Sequence, residues 1–234
     1  AGKRFGVGHF VRHQTGDTTQ GKSASGKPGN HYRSVRYRLV AGSAFLLWLI
    51  GPGNSARQCA VPIRLTLFIC LFVSMDAGAA PIIKRKNSTY DVGGETPAAV
   101  RAQIDIHGPM HPTEKKRYDG ITEWDLNWKY QMSRRGKIWI VTSRTVTLDI
   151  RVKVPQWTDR KKAPPLAQRQ WKIYQTNLIR HEQGHVNIAL RAAHAIDKYI
   201  GTYGGASSAE HMRANIDRNT KLILEKYRKY DTSY

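Results

Sequence analysis

Apolar and polar positions alternate most strictly between Ile121 and Val154. Trp124, Leu126, Trp128 and Tyr130 alternate with Glu123, Asp125, Asn127 and Lys129. Val146, Leu148, Ile150, Val152 and Val154 alternate with Thr147, Asp149, Arg151 and Lys153. A period of two places one set of side chains on each face of a strand. The pattern therefore predicts a sheet with one buried face, which points to antiparallel pairing. Pro155, Pro164 and Pro165 close this zone. Ahead of it, Tyr90 begins an extended stretch that turns at Gly93-Gly94. Thr96-Pro97 then opens a short helix, Pro97 to Ile104, with proline in its first turn.

From Leu166 the period becomes helical. Leu178, His181, His185, Ala189, Ala192, Ile196 and Tyr199 fall on one face of a long helix, which the glycines between 201 and 205 end. Ser207 and Glu210 have the spacing of a capping box for a second helix. Its apolar face is Ala209, Met212, Ile216, Ile223, Tyr227 and Tyr230. Strands first and helices last predict an α+β domain: an antiparallel sheet, then a long helix and a C-terminal helix.

The upstream third follows neither period. Residues 1–58 are rich in Gly, Ser, Arg and His, with one short apolar run, Ala44 to Ile50, and no sustained helix or strand pattern. Between 61 and 79 the character changes. Arg64 precedes nine largely apolar residues, Leu65 to Val73, and the small-residue site Ala77-Gly78-Ala79 follows. A positive flank, a short apolar stretch and an A-x-A site make the pattern of a secretory signal peptide. The expected division is an unstructured or mistranslated upstream leader at 1–60, a signal peptide at 61–79 and a folded domain at 80–234. The expected location is secreted or periplasmic.

Composition narrows the chemistry. The chain has 234 residues, 38 Lys+Arg, 17 Asp+Glu and a formal charge of +21. Residues 80–234 hold 28 of the basic residues and 15 of the acids. That excess favours an anionic partner, such as a component of the cell envelope. Clusters such as Lys84-Arg85-Lys86 and Lys115-Lys116-Arg117 are short and scattered, as solvated faces are, so no specific nucleic-acid partner is expected. The only cysteines are Cys59 and Cys70, both upstream of residue 80. A disulfide scaffold, a four-cysteine zinc site and an all-cysteine iron–sulfur cluster are excluded. No apolar run reaches the roughly 18 residues of a spanning helix.

One motif carries chemistry. His181-Glu182-Gln183-Gly184-His185 is H-E-x-x-H inside the long periodic helix. Positions four apart share a face, so the two imidazoles can converge on one zinc ion. Glu182, turned by about 100°, can stand beside the ion without ligating it and accept a proton from water, whose pKa zinc lowers to around 7. Gly184 costs a mid-helix position about 1 kcal/mol, which a need for space near the metal would explain. A third ligand is less plain. Ile188 and Arg191 stand where a longer H-E-x-x-H-x-x-G-x-x-H motif needs Gly and His. Helical phase turns His194 and Glu225 away from the site, and capping accounts for Glu210. That leaves Asp231, about 60° off the apolar face of its helix, or a residue beyond Tyr234.

Several blocks resemble one known family. They are Tyr90-Asp-Val-Gly-Gly-Glu-Thr-Pro97 with Gly108-Pro109, Thr122-Glu-Trp124 with Trp128 and Tyr130, and Pro155-Gln-Trp157. Trp171 with His181-Glu-Gln-Gly-His185, Asn219 and Tyr230-Asp231 complete the set. Together they resemble the bacterial predicted secreted zinc-dependent proteases catalogued as domain of unknown function 922. The resemblance implies a zincin-like metallopeptidase acting on peptide or protein substrates, with ligand roles for His181 and His185 and a base role for Glu182. In that family a Tyr-Asp pair is followed shortly by Thr and His-Gly, and this sequence ends at Tyr234 before such a His. Two other readings stand beside the peptidase: a zincin-like domain that does not cleave, and a basic binding module of the cell envelope.

Overall fold

A computed structural model describes residues 80–111 and 114–234, with the backbone of two upstream strands. In chain order the elements are β1 (Gln14–Gly16), β2 (His31–Ser43), β3 (Ile82–Val92), α1 (Pro97–His107), β4 (Gly120–Arg135), β5 (Ile138–Trp157), α2 (Pro165–Gly201) and α3 (Ala209–Ser233). The five strands form one sheet in the order β1-β2-β4-β5-β3. The fold is α+β. The expected signal segment 61–79, and the expected leader apart from β1 and β2, lie outside the described residues.

The β4–β5 hairpin is the spine of the sheet. A two-residue turn joins Arg135 to Ile138, with Gly136 at φ +60°, where a side chain would be strained. The alternation seen in the sequence becomes a buried face of Trp124, Leu126, Trp128, Tyr130, Met132, Val146, Leu148, Ile150 and Val152. α2 lies across β5 and β4, and α3 packs on α2. Ala189, Ala192 and Ala193, all fully buried, let α2 approach the sheet closely, and Met212, Ile216 and Leu224 of α3 complete this core. A second cluster of Tyr90, Val92, Val100, Ile104, Trp157, Trp171, Tyr174 and Leu178 fastens β3 and α1 to the first half of α2.

Three details differ from the sequence reading. The sheet is mixed rather than antiparallel, because β3 runs parallel to β5. β4 itself makes the return that such a pair needs: it starts at the end of the sheet where β3 stops and leads back to the start of β5. Second, β3 begins at Ile82, ahead of the expected Tyr90; Ile82 to Thr89 are all exposed, so no alternation marks them. Third, the stretch 1–58, read as lacking a strand period, contributes β2, which pairs antiparallel with β4 with Leu39 opposite Trp124 and Val35 opposite Trp128.

Helix ends follow the chemistry of their caps. Thr96 Oγ1 accepts from the Ala99 amide at the start of α1. The N-cap of α3 is Ser208, not Ser207: its Oγ accepts from the His211 amide at 3.1 Å. Glu210 is therefore no capping-box partner but an exposed acid in the first turn.

Candidate metal centre

The H-E-x-x-H turn lies mid-way along α2, where the helix is pressed between the sheet and the end of α3. Leu178, His185, Ala189, Ala192 and Ile196 of the expected face are buried, and Glu182 is buried with them. His185 is 0% exposed and Glu182 is 1% exposed, whereas His181 is half-buried at the rim.

The two imidazoles converge. His181 Nε2 and His185 Nε2 are 3.1 Å apart, with the rings nearly perpendicular. Two nitrogens on one tetrahedral zinc at 2.0–2.1 Å would be about 3.3–3.4 Å apart. The pair thus stands near the spacing a shared ion requires. Imidazole nitrogens suit zinc, but these two are one fewer than the three protein ligands of a catalytic zinc site. Burial, with His185 beside it, holds the His181 pKa down at about 4, against an opposing pull from Asp231. At neutral pH its ring is uncharged, the state a metal ligand must have.

Behind His185 stands Asp231. Its Oδ1 is 2.7 Å from His185 Nδ1, the nitrogen that faces away from His181, and both side chains are fully buried. Asp231, expected as a candidate ligand, thus sits on the far nitrogen of a ligand candidate. Its second oxygen, Oδ2, is buried and has no hydrogen-bond partner among the described residues. A buried carboxylate with one oxygen unpartnered is poorly compensated. A cation on the other ring nitrogen would supply the missing charge. His194 and Glu225 are exposed. Among the described residues no group of three or more His, Cys, Asp or Glu is arranged to hold a metal.

Glu182 points at the sheet, toward the first residues of β4. The Thr122 hydroxyl donates to Glu182 Oε2 at 2.6 Å, and both groups are buried. Gly120 makes the space: a Cβ there would come 2.8 Å from Glu182 Oε1 and 3.1 Å from Leu178 Cδ1. The start of β4 is itself pinned by Asp119. Arg101 of α1 donates to both of its carboxylate oxygens at 2.7 and 2.8 Å, and the Tyr174 hydroxyl donates to Oδ2 at 2.8 Å. The Tyr90 hydroxyl donates to the Asp119 backbone carbonyl. Burial, then the Asp119 charge, pushes both tyrosine pKa values well up, so both remain donors.

Tyr234 closes the outer side. Its ring stacks on His181 at 4.9 Å between centroids and meets His185 edge-on at 5.3 Å. A Cβ on Gly184 would come within 2.2–2.3 Å of that ring. The glycine in mid-helix therefore makes room for an aromatic ring.

Sequence reasoning singled out the two histidines, Glu182 and Asp231, the last as a candidate ligand. It passed over Thr122, Gly120 and Tyr234. Thr122 had a readable signal, as a polar residue in phase with the buried Trp124 and Leu126. Tyr234 had none, because its approach depends on how α3 crosses α2.

Two comparisons gave nothing: no curated protein and no solved structure matches the chain. The profile of one family, described as bacterial protein of unknown function (DUF922), matches residues 87–234, well over half of the sequence and all of the site just described. The chain belongs to that family.

Proposed function

We propose that this protein is a secreted or periplasmic zinc-dependent metallopeptidase, with peptide or protein substrates and Glu182 as general base. One observation carries the reading: the Nε2 atoms of His181 and His185 converge at 3.1 Å on the same helix that carries the buried Glu182 carboxylate. His181 and His185 would hold the ion. When bound, zinc supplies Lewis acidity toward water and toward the scissile carbonyl. Glu182 takes a proton from the attacking water as the oxygen adds to the carbonyl carbon. It returns that proton to the amine nitrogen as the C–N bond breaks. Thr122 and Gly120 fix the Glu182 carboxylate for both transfers. Export rests on the signal-like segment 61–79, and the basic surface suits an anionic envelope component as a further partner. No helix among the described residues is long and apolar enough to cross a membrane.

A second reading is a zincin-like domain that binds metal without cleaving. It is favoured by the Tyr234 ring, which stacks on His181. Zinc-supplied full chain, digested against a broad peptide library, separates the two. Hydrolysis that disappears in Glu182→Gln supports the peptidase, and zinc uptake without hydrolysis supports the second reading.

A further inference from the structure

We infer that Asp231 is a positioning residue for His185, and not a metal ligand. It fixes the imidazole so that Nδ1 carries the proton and Nε2 presents its lone pair to the metal position. The inference rests on the metal reading of His181 and His185 and assigns a role within it.

The geometry is specific. An ionised carboxylate has only acceptor oxygens, so a 2.7 Å contact with Nδ1 requires the proton to sit on that nitrogen. An imidazole that gives its Nε2 lone pair to a metal keeps its one N–H on Nδ1, so the contact with Asp231 leaves Nε2 of His185 as the ligand atom. That nitrogen is the one facing His181 Nε2 at 3.1 Å. His185 and Asp231 are both fully enclosed. Metal-binding histidines generally give their second N–H to a carboxylate or carbonyl, which orients the ring and raises its basicity. Asp231 lies 46 residues away on α3. The contact therefore makes metal affinity depend on the docking of α3, which carries neither His181 nor His185, against α2.

The test uses the full chain and two readouts that do not involve activity. Nitrogen-15 NMR of the metal-free protein reports which ring nitrogen of His185 is protonated, and competition with a chelator reports zinc affinity. Wild type should show the Nδ1–H tautomer. Asp231→Leu keeps a similar size but removes the acceptor. It should move protonation toward Nε2 and weaken zinc binding by about 10–100-fold, the usual loss for such partners. Asp231→Asn retains an acceptor oxygen, so it should preserve the tautomer and lose less affinity. Should Asp231→Leu fail to fold, Asp231→Asn and the wild-type tautomer still decide the matter. A wild-type His185 protonated at Nε2 overturns the assignment. So does a folded Asp231→Leu that keeps its tautomer and loses less than tenfold in affinity. If wild type takes up no zinc, the metal reading itself fails, an outcome distinct from zinc uptake indifferent to Asp231.

Discussion

Thr122→Val removes a hydroxyl and leaves the shape of the side chain almost unchanged. The hydroxyl donates to Glu182 Oε2 at 2.6 Å with both groups out of solvent. A hydrogen bond to a charged group contributes about 1.5–3 kcal/mol, and an isosteric change opens no cavity to add to it. The expected loss is about 2 kcal/mol, or about 4–8 °C in Tm for a chain of this size. Thr122→Ser is the control. It keeps the donor and deletes one buried methyl, for a cost of about 1 kcal/mol. Urea unfolding of both variants at neutral pH measures the difference. Repeating Thr122→Val in a Glu182→Gln background completes the cycle, where the penalty should shrink toward the roughly 1 kcal/mol of a neutral hydrogen bond. Zinc affinity should stay within a few-fold, since Thr122 touches neither imidazole. If Thr122→Val costs no more than Thr122→Ser, or costs the same whether Glu182 is charged or not, the claim that β4 holds the Glu182 carboxylate is wrong.

Two further outcomes follow from the same geometry. Gly184→Ala should displace the Tyr234 ring, because its Cβ would overlap ring atoms at 2.2–2.3 Å; the ring is half exposed and can leave. The helix gains about 1 kcal/mol from the better helix former, against about 0.5–1.5 kcal/mol of lost ring contacts. Stability should therefore change by less than about 1 kcal/mol, while NMR contacts between Tyr234 and His181 disappear; a larger loss would mean that Tyr234 is built into the core. His181→Ala and His185→Ala should each abolish tight zinc uptake, measured by metal analysis after dialysis, and full retention in either variant would remove that histidine from the site.

The parts of the fold that declared themselves were those with a strict period. Trp124, Leu126, Trp128 and Tyr130 alternate without a break, and in the structure all four are almost wholly buried. β3 gave no such signal over Ile82–Thr89, because exposure on both faces removes the pressure that writes alternation into a sequence. The capping box was displaced by one residue because Ser207 and Ser208 are adjacent and either suits an N-cap; only the backbone geometry selects Ser208. In the candidate site, the spacing of His181 and His185 was legible because an α-helix translates four positions into one face. Helical phase also brought Asp231 inward, but phase says nothing about which ring nitrogen a carboxylate meets. That depends on the crossing of α2 and α3. The Arg101–Asp119–Tyr174 group was not legible for the same reason, since it joins α1, the start of β4 and α2.

The central claim is tested most directly by hydrolysis of a peptide library by zinc-supplied wild type and Glu182→Gln, each with its bound zinc measured in the same sample. Gln keeps the size of Glu but cannot take the proton from water, and general-base contributions amount to about 10²–10⁴-fold. The account predicts one zinc per chain in both proteins, cleavage by wild type, and a fall of at least about 100-fold in Glu182→Gln. Equal cleavage by the two proteins, or no zinc in the wild type, would contradict it.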